Sequence, residues 1–139
     1  MPPLNNSIER RIQLALQHYF PKIELVLIFG SHAAGKASVE SDWDIAIAGK
    51  KRLSYAKRID ITNALARLTE REVDVIDLQA VSGVILEQAL GHGKILIKKN
   101  KTLYANLLKK MLYNQADMMP LYHEMLRVRR DTFLKRKFN

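Results

Sequence analysis

Two aspartates one residue apart, Asp42 and Asp44, stand at the head of an apolar run, Ile45 to Ala48, and a Gly30-Ser31 pair closes an earlier apolar run, Leu25 to Phe29. The earlier run has the length and composition of a buried strand. If the segment after Asp42 is also extended, residues two apart point to the same side with Cα atoms roughly 6.6 Å apart. Both carboxylates then converge on one small volume. Carboxylates that close repel, so one takes up a proton or a cation sits between them, and no Arg or Lys lies within Asp42-Trp43-Asp44 to compensate. A hard divalent ion suits the pair: Mg²⁺ takes one or two carboxylates, keeps some waters and completes its shell with phosphate oxygens. Gly30, with no Cβ, lets backbone approach closely. The N–H groups freed at the strand end, with the Ser31 hydroxyl, can face an anion, particularly if a short helix starts at Ala33. The bland alternative is an ordinary turn beside solvated aspartates. Gly-Ser alone and Asp-x-Asp alone are weak signals; the two in order, each at a strand boundary, favour a site for a metal and a triphosphate.

With Gly35 and Ser41 also in place, Gly30-Ser31, ten intervening residues and Asp42-Trp43-Asp44 resemble the signature of the minimal nucleotidyltransferase branch of the DNA polymerase β-like nucleotidyltransferase superfamily. The resemblance runs from about Ile23 to Leu96. It implies an α/β (α+β) nucleotidyltransferase fold: a small mixed sheet of about four strands flanked by helices, with a C-terminal helical tail. It also implies two Mg²⁺ ions and a nucleoside triphosphate, ATP in the simplest reading. Asp42, Asp44 and Asp74 would hold the metals and serve catalysis, Asp74 assisting the attacking hydroxyl, while Gly30 and Ser31 would bind the nucleotide. Members often carry Arg where this chain has His32 and Ala34. Stand-alone proteins of this branch resemble the antitoxins of HEPN/MNT toxin–antitoxin pairs. That implies a prokaryotic protein that transfers AMP to a tyrosine of a HEPN ribonuclease toxin and so neutralises it. Two other readings stay open: a non-catalytic antitoxin acting by stoichiometric binding, and nucleotidylation of a small-molecule acceptor. Against the latter, no second domain offers an acceptor pocket.

Several elements must position these groups. Asn6 with Glu9 reads as a capping box, and Ile8, Ile12, Ala15, Leu16 and Tyr19 recur at helical spacing before Pro21. Strands are expected over Ile23 to Phe29, Trp43 to Ala48, Val73 to Leu78 and Lys94 to Ile97. Ser54 can cap a helix carrying Ile61, Ala64, Leu65 and Leu68, the crossover between the second and third strands. On the third strand Asp74 and Asp77 have opposite parity and face opposite sides; Asp77 reads as an ordinary surface residue. Gly49-Lys50-Lys51-Arg52 reads as a basic turn that could place a cation near the nucleotide phosphates. A short helix over Ser82 to Leu90 is closed by Gly91-His92-Gly93.

From Asn100 the pattern is helical again, through Tyr104, Leu107, Leu108, Met111 and Leu112, then Met118, Tyr122, Met125 and Leu126, with Pro120 predicting a kink. The core appears as residues 1–97 and the basic tail as 98–139, in a single domain. The tail's Met- and Leu-rich stripe is free to pack on the core or on a partner.

At 139 residues the chain has the size of one domain. The absence of Cys excludes disulfides and thiolate metal sites and suits a reducing compartment. His18, His32, His92 and His123 show no ligand spacing and read as surface or cap residues. No apolar run approaches the ~20 residues that span a bilayer, and the N-terminus has no signal-peptide pattern, so the expected setting is cytoplasmic without membrane contact. The formal charge is +9, and Lys98 to Asn139 holds 11 Lys and Arg against 3 Asp and Glu. Such a segment suits an anionic partner. It has few Gly and no RNA-binding signature, which argues against direct nucleic-acid binding through it.

Overall fold

The computed structural model describes residues 7–38, 40–113, 127 and 129. Helix α1 spans Ile8–Tyr19. Asn6 lies outside the described residues, and the N-cap is Ser7, whose hydroxyl accepts from the Arg10 N–H at 3.1 Å. Strand β1, Ile23–Phe29, leads through Gly30 into a one-turn helix α2, Ser31–Ala34, which starts two residues before the expected Ala33. Strand β2 is Trp43–Gly49, helix α3 Tyr55–Thr69, strand β3 Val73–Asp77, helix α4 Gly83–His92, strand β4 Lys94–Lys98 and helix α5 Lys101–Tyr113. Ser54 caps α3 as expected, accepting from Lys57 N–H at 3.1 Å. Only Gly93 lies past α4, since Gly91 and His92 are part of its last turn.

The four strands form one mixed sheet in the order β3-β2-β1-β4, with β1 antiparallel to both β2 and β4, and β2 parallel to β3. A parallel neighbour needs a crossover, and α3 is that crossover. Because successive side chains on a strand alternate between faces, each strand feeds two cores. On one face Ile12 and Leu16 of α1 and Ile61 and Leu65 of α3 pack on Val26, Ile28, Ile45 and Ile47. On the other, Leu86 and Leu90 of α4 and Leu107 and Met111 of α5 pack on Leu25, Leu27, Ala46 and Ala48. The first half of the apolar stripe after Asn100 therefore lies in the core. Met118, Pro120, Tyr122, Met125 and Leu126 lie outside the described residues. Farther along, Arg129 Nη1 donates to the Leu90 carbonyl at 2.6 Å and to that of Gly91, tying the end of α4 to the C-terminal segment.

Two expectations fail here for reasons of geometry. Asp77 is only 4% exposed: its carboxylate accepts from Leu53 N–H at 2.7 Å and from Gln79 N–H at 2.9 Å. It fixes the loop entering α3. The basic turn after Gly49 does not approach the Gly30 end of the sheet, because β2 runs antiparallel to β1 and pairs Gly49 with Ile23. Lys50 to Arg52 therefore sit at the opposite pole. Among the described residues no helix is long and apolar enough to cross a membrane.

Candidate active site

The site forms where β1 ends, β2 begins and β3 lies alongside. Phe29 pairs with Asp44 across the antiparallel ladder, and Asp44 pairs with Asp74 across the parallel one. Asp42 precedes β2 by one residue, and the triplet is held against β3 by Trp43 N–H donating to the Glu72 carbonyl at 3.0 Å. Asp42, Asp44 and Asp74 line one open cleft of about 610 Å³, bordered by Thr62 and Ala66 of α3 and by Glu72 and Val73. Asp42 and Asp74 are exposed and Asp44 is half-buried. Burial first, then the carboxylates of Asp74 and Asp42, push the Asp44 carboxyl above its ordinary value, while His32 opposes them.

Gly30 has φ 72 and ψ −149, a conformation essentially confined to glycine. A Cβ there would meet Asp44 Oδ2 at 2.3 Å. Glycine thus serves both to turn the chain out of β1 and to leave room for a carboxylate. The turn continues into α2, whose Ala33 and Ala34 N–H groups donate back to the Gly30 carbonyl. The N–H groups of Ser31 and His32 open the helix, where no carbonyl of the same turn can receive them.

One contributor escaped the sequence. The His32 ring stacks on Trp43 at 3.5 Å between centroids and 9° between planes, and its Nε2 donates to the Ser41 carbonyl at 3.2 Å. The imidazole bridges α2 to the loop delivering Asp42, so it is neither a plain surface residue nor a helix cap. Ser41 also anchors that loop, its hydroxyl accepting from Ser38 N–H at 2.9 Å.

Among the described residues no Lys or Arg lines this cleft. Among the described residues no three His, Cys, Asp or Glu side chains are grouped closely enough to hold one ion in common. Mg²⁺ asks for one or two carboxylates, leaving the rest of its shell to water and phosphate. A donor set of oxygens only, with one carboxyl pushed up by burial and by its acidic neighbours, fits such an ion.

The family described as polymerase beta nucleotidyltransferase matches residues 10–102, from α1 through β4 into α5. The chain belongs to this family. Among relatives of this nucleotidyltransferase, the protein adenylyltransferase MntA of Shewanella oneidensis is 33% identical over 86 residues, which are 62% of each chain. The match therefore spans less than two thirds of that relative. A solved toxin–antitoxin complex with AMP-PNP contains a chain that superposes with TM-score 0.68 at 26% identity, over 85% of this chain and 98% of that one. A chain in the complex of a tri-AMPylated Shewanella oneidensis HEPN toxin with its MNT antitoxin shares the fold at TM-score 0.63 and 24% identity, over 86% of this chain and 96% of that one.

Proposed function

We propose that this nucleotidyltransferase is an antitoxin that transfers AMP from ATP to a tyrosine hydroxyl of a cognate HEPN ribonuclease toxin and thereby neutralises it, in the cytoplasm. The observation that carries the reading is the pairing of Asp44 with Asp74 beside Gly30, in a chain that is 33% identical to a protein adenylyltransferase over their matched segment.

In the reaction, the tyrosine oxygen forms a bond to the α-phosphorus of ATP as the bond to the bridging oxygen breaks, and pyrophosphate leaves. The hydroxyl proton passes to Asp74, whose exposure lets it return the proton to water. The backbone at Gly30 and Ser31 receives the phosphates. His32, stacked on Trp43, holds the loop that presents Asp42. Asp42, Asp44 and Asp74 would hold two Mg²⁺ ions, which supply positive charge to the attacking and leaving oxygens. In this reading residues 1–97 form the catalytic core, and 98–139, whose α5 packs on it, supply a partner-facing surface.

The test incubates the protein with α-labelled ATP, Mg²⁺ and the toxin encoded beside it. Label and the mass of AMP on a toxin tyrosine are the expected result. Neutralisation without label, equally strong for a variant with Asp42→Asn and Asp44→Asn, would replace transfer with stoichiometric binding.

A further inference from the structure

The opposite pole of the sheet holds a second and larger cleft, of about 780 Å³, built where β1 and β4 start and end and β2 leaves for α3. Six cations line it, Lys22, Lys50, Lys51, Arg52, Lys57 and Lys99, against one carboxylate, Glu24. All six are exposed, and none of them forms an ion pair among the described residues. Glu24 is half-buried, and its Oε2 accepts from Asn100 Nδ2 at 3.4 Å.

The floor is not polar. Ile23, Leu53 and Ile61 contribute to it, Phe20 lies on it with Lys57 Nζ 5.5 Å from its ring, and Tyr19 stands at its rim with 70% of its surface exposed. Like charges gathered at one place repel, and among the described residues Glu24 is the one carboxylate lining the cleft and pairs with none of them. The chain's own C-terminal segment, with 11 cations against 3 anions, has the wrong sign to fill the space.

Cations spaced around an exposed aromatic ring, here Tyr19, are the recognition chemistry of single strands, whose phosphates follow the charges while a base stacks on the ring. We infer that this cleft binds single-stranded nucleic acid. The composition that speaks against nucleic acid is that of the C-terminal segment. This cleft draws on β1, β2, α1 and α3, and only Lys99 belongs to that segment. The inference is independent of AMP transfer, since the cleft and the carboxylates occupy opposite ends of the sheet.

The experiment titrates a fluorescein-labelled 12-nucleotide single-stranded RNA with the full chain and follows anisotropy at several salt concentrations. Binding that weakens with salt is expected. In a variant combining Lys50→Ala, Lys51→Ala and Arg52→Ala, the slope of log K against log salt should shrink by about 2, near 0.7 for each lost phosphate contact. Tyr19→Ala should weaken binding roughly five-fold or more. Asp44→Asn and Lys109→Ala, which lie outside the cleft, should bind as the parent does. All substituted cleft positions are exposed, and thermal unfolding followed by circular dichroism confirms that each variant is folded. Three results would overturn the inference: no binding at low salt, an unchanged slope in the triple variant, or displacement of the RNA by polyglutamate at equal charge concentration. The last would assign the cleft to an acidic protein segment.

Discussion

Asp44 and Asp74 are direct partners across the parallel β2–β3 ladder, two carboxylates placed side by side in a cleft that no Lys or Arg of the described residues lines. Natural sheets rarely keep like charges directly opposite, because the pair is destabilising. The arrangement makes sense as a site whose missing charge arrives with its ligand. Asp44→Asn should therefore lower AMP transfer about 10³-fold, the scale for loss of electrostatic support to a developing charge, as measured by label incorporated into the toxin.

The same pair sets a pH dependence. Burial, Asp74 and Asp42 raise the Asp44 carboxyl above 3.8. A group whose pKa rises on folding holds its proton more tightly in the folded state, so stability falls as pH climbs from 3.8 through the raised value and the penalty persists above it. Without metal, Asp44→Asn should melt at a higher temperature than the parent at pH 7 and at a similar one below pH 3.8. Added Mg²⁺ should stabilise the parent more than the variant. Thermal unfolding with chelator and with Mg²⁺ checks both.

Gly30 and Gly35 share φ 72 but not surroundings. At Gly30 an added methyl meets Asp44 Oδ2 at 2.3 Å, whereas at Gly35 nothing lies within 4 Å. Gly30→Ala should cost about 1–3 kcal/mol of stability and most of the activity. Gly35→Ala, in the left-handed region alone, should cost about 1–2 kcal/mol and leave transfer by the folded protein near normal. Denaturant titration beside the label assay separates the two.

His32 lowers the Asp44 carboxyl that its neighbours raise. His32→Ala should move the acid limb of the transfer–pH profile to higher pH and loosen the Ser41 loop. His32→Arg puts a guanidinium at the same place and should leave the limb in place. Transfer rates measured across the acidic range distinguish them.

Asp77 predicts the reverse pattern. Its carboxylate receives the Leu53 and Gln79 N–H groups, so Asp77→Ala leaves two donors short and should cost about 2–3 kcal/mol, while kcat of the folded fraction stays unchanged.

The strands and two of the three carboxylates were legible because apolar runs mark strands and because parity places Asp42 and Asp44 together. Asp77 was not. A carboxylate that ends a strand and one that caps a neighbouring loop carry the same local pattern, and only the fold brings Leu53 to it. Strand direction was equally hidden: alternation looks the same read either way, and so the basic turn after Gly49 was set beside the phosphates when antiparallel pairing sends it to the far pole. The His32–Trp43 stack depends on a loop closing over ten residues, which no periodicity records. The cap at Ser7 in place of Asn6 is a one-residue shift of the kind that helix ends commonly show.

Trp43 is the single tryptophan of the chain, and it lies flat against His32 between the two aspartates. All indole emission from this protein therefore originates between Asp42 and Asp44. The intrinsic fluorescence of the unlabelled chain should therefore shift when nucleotide or Mg²⁺ enters the neighbouring cleft, a change that a titration of the unlabelled protein would follow.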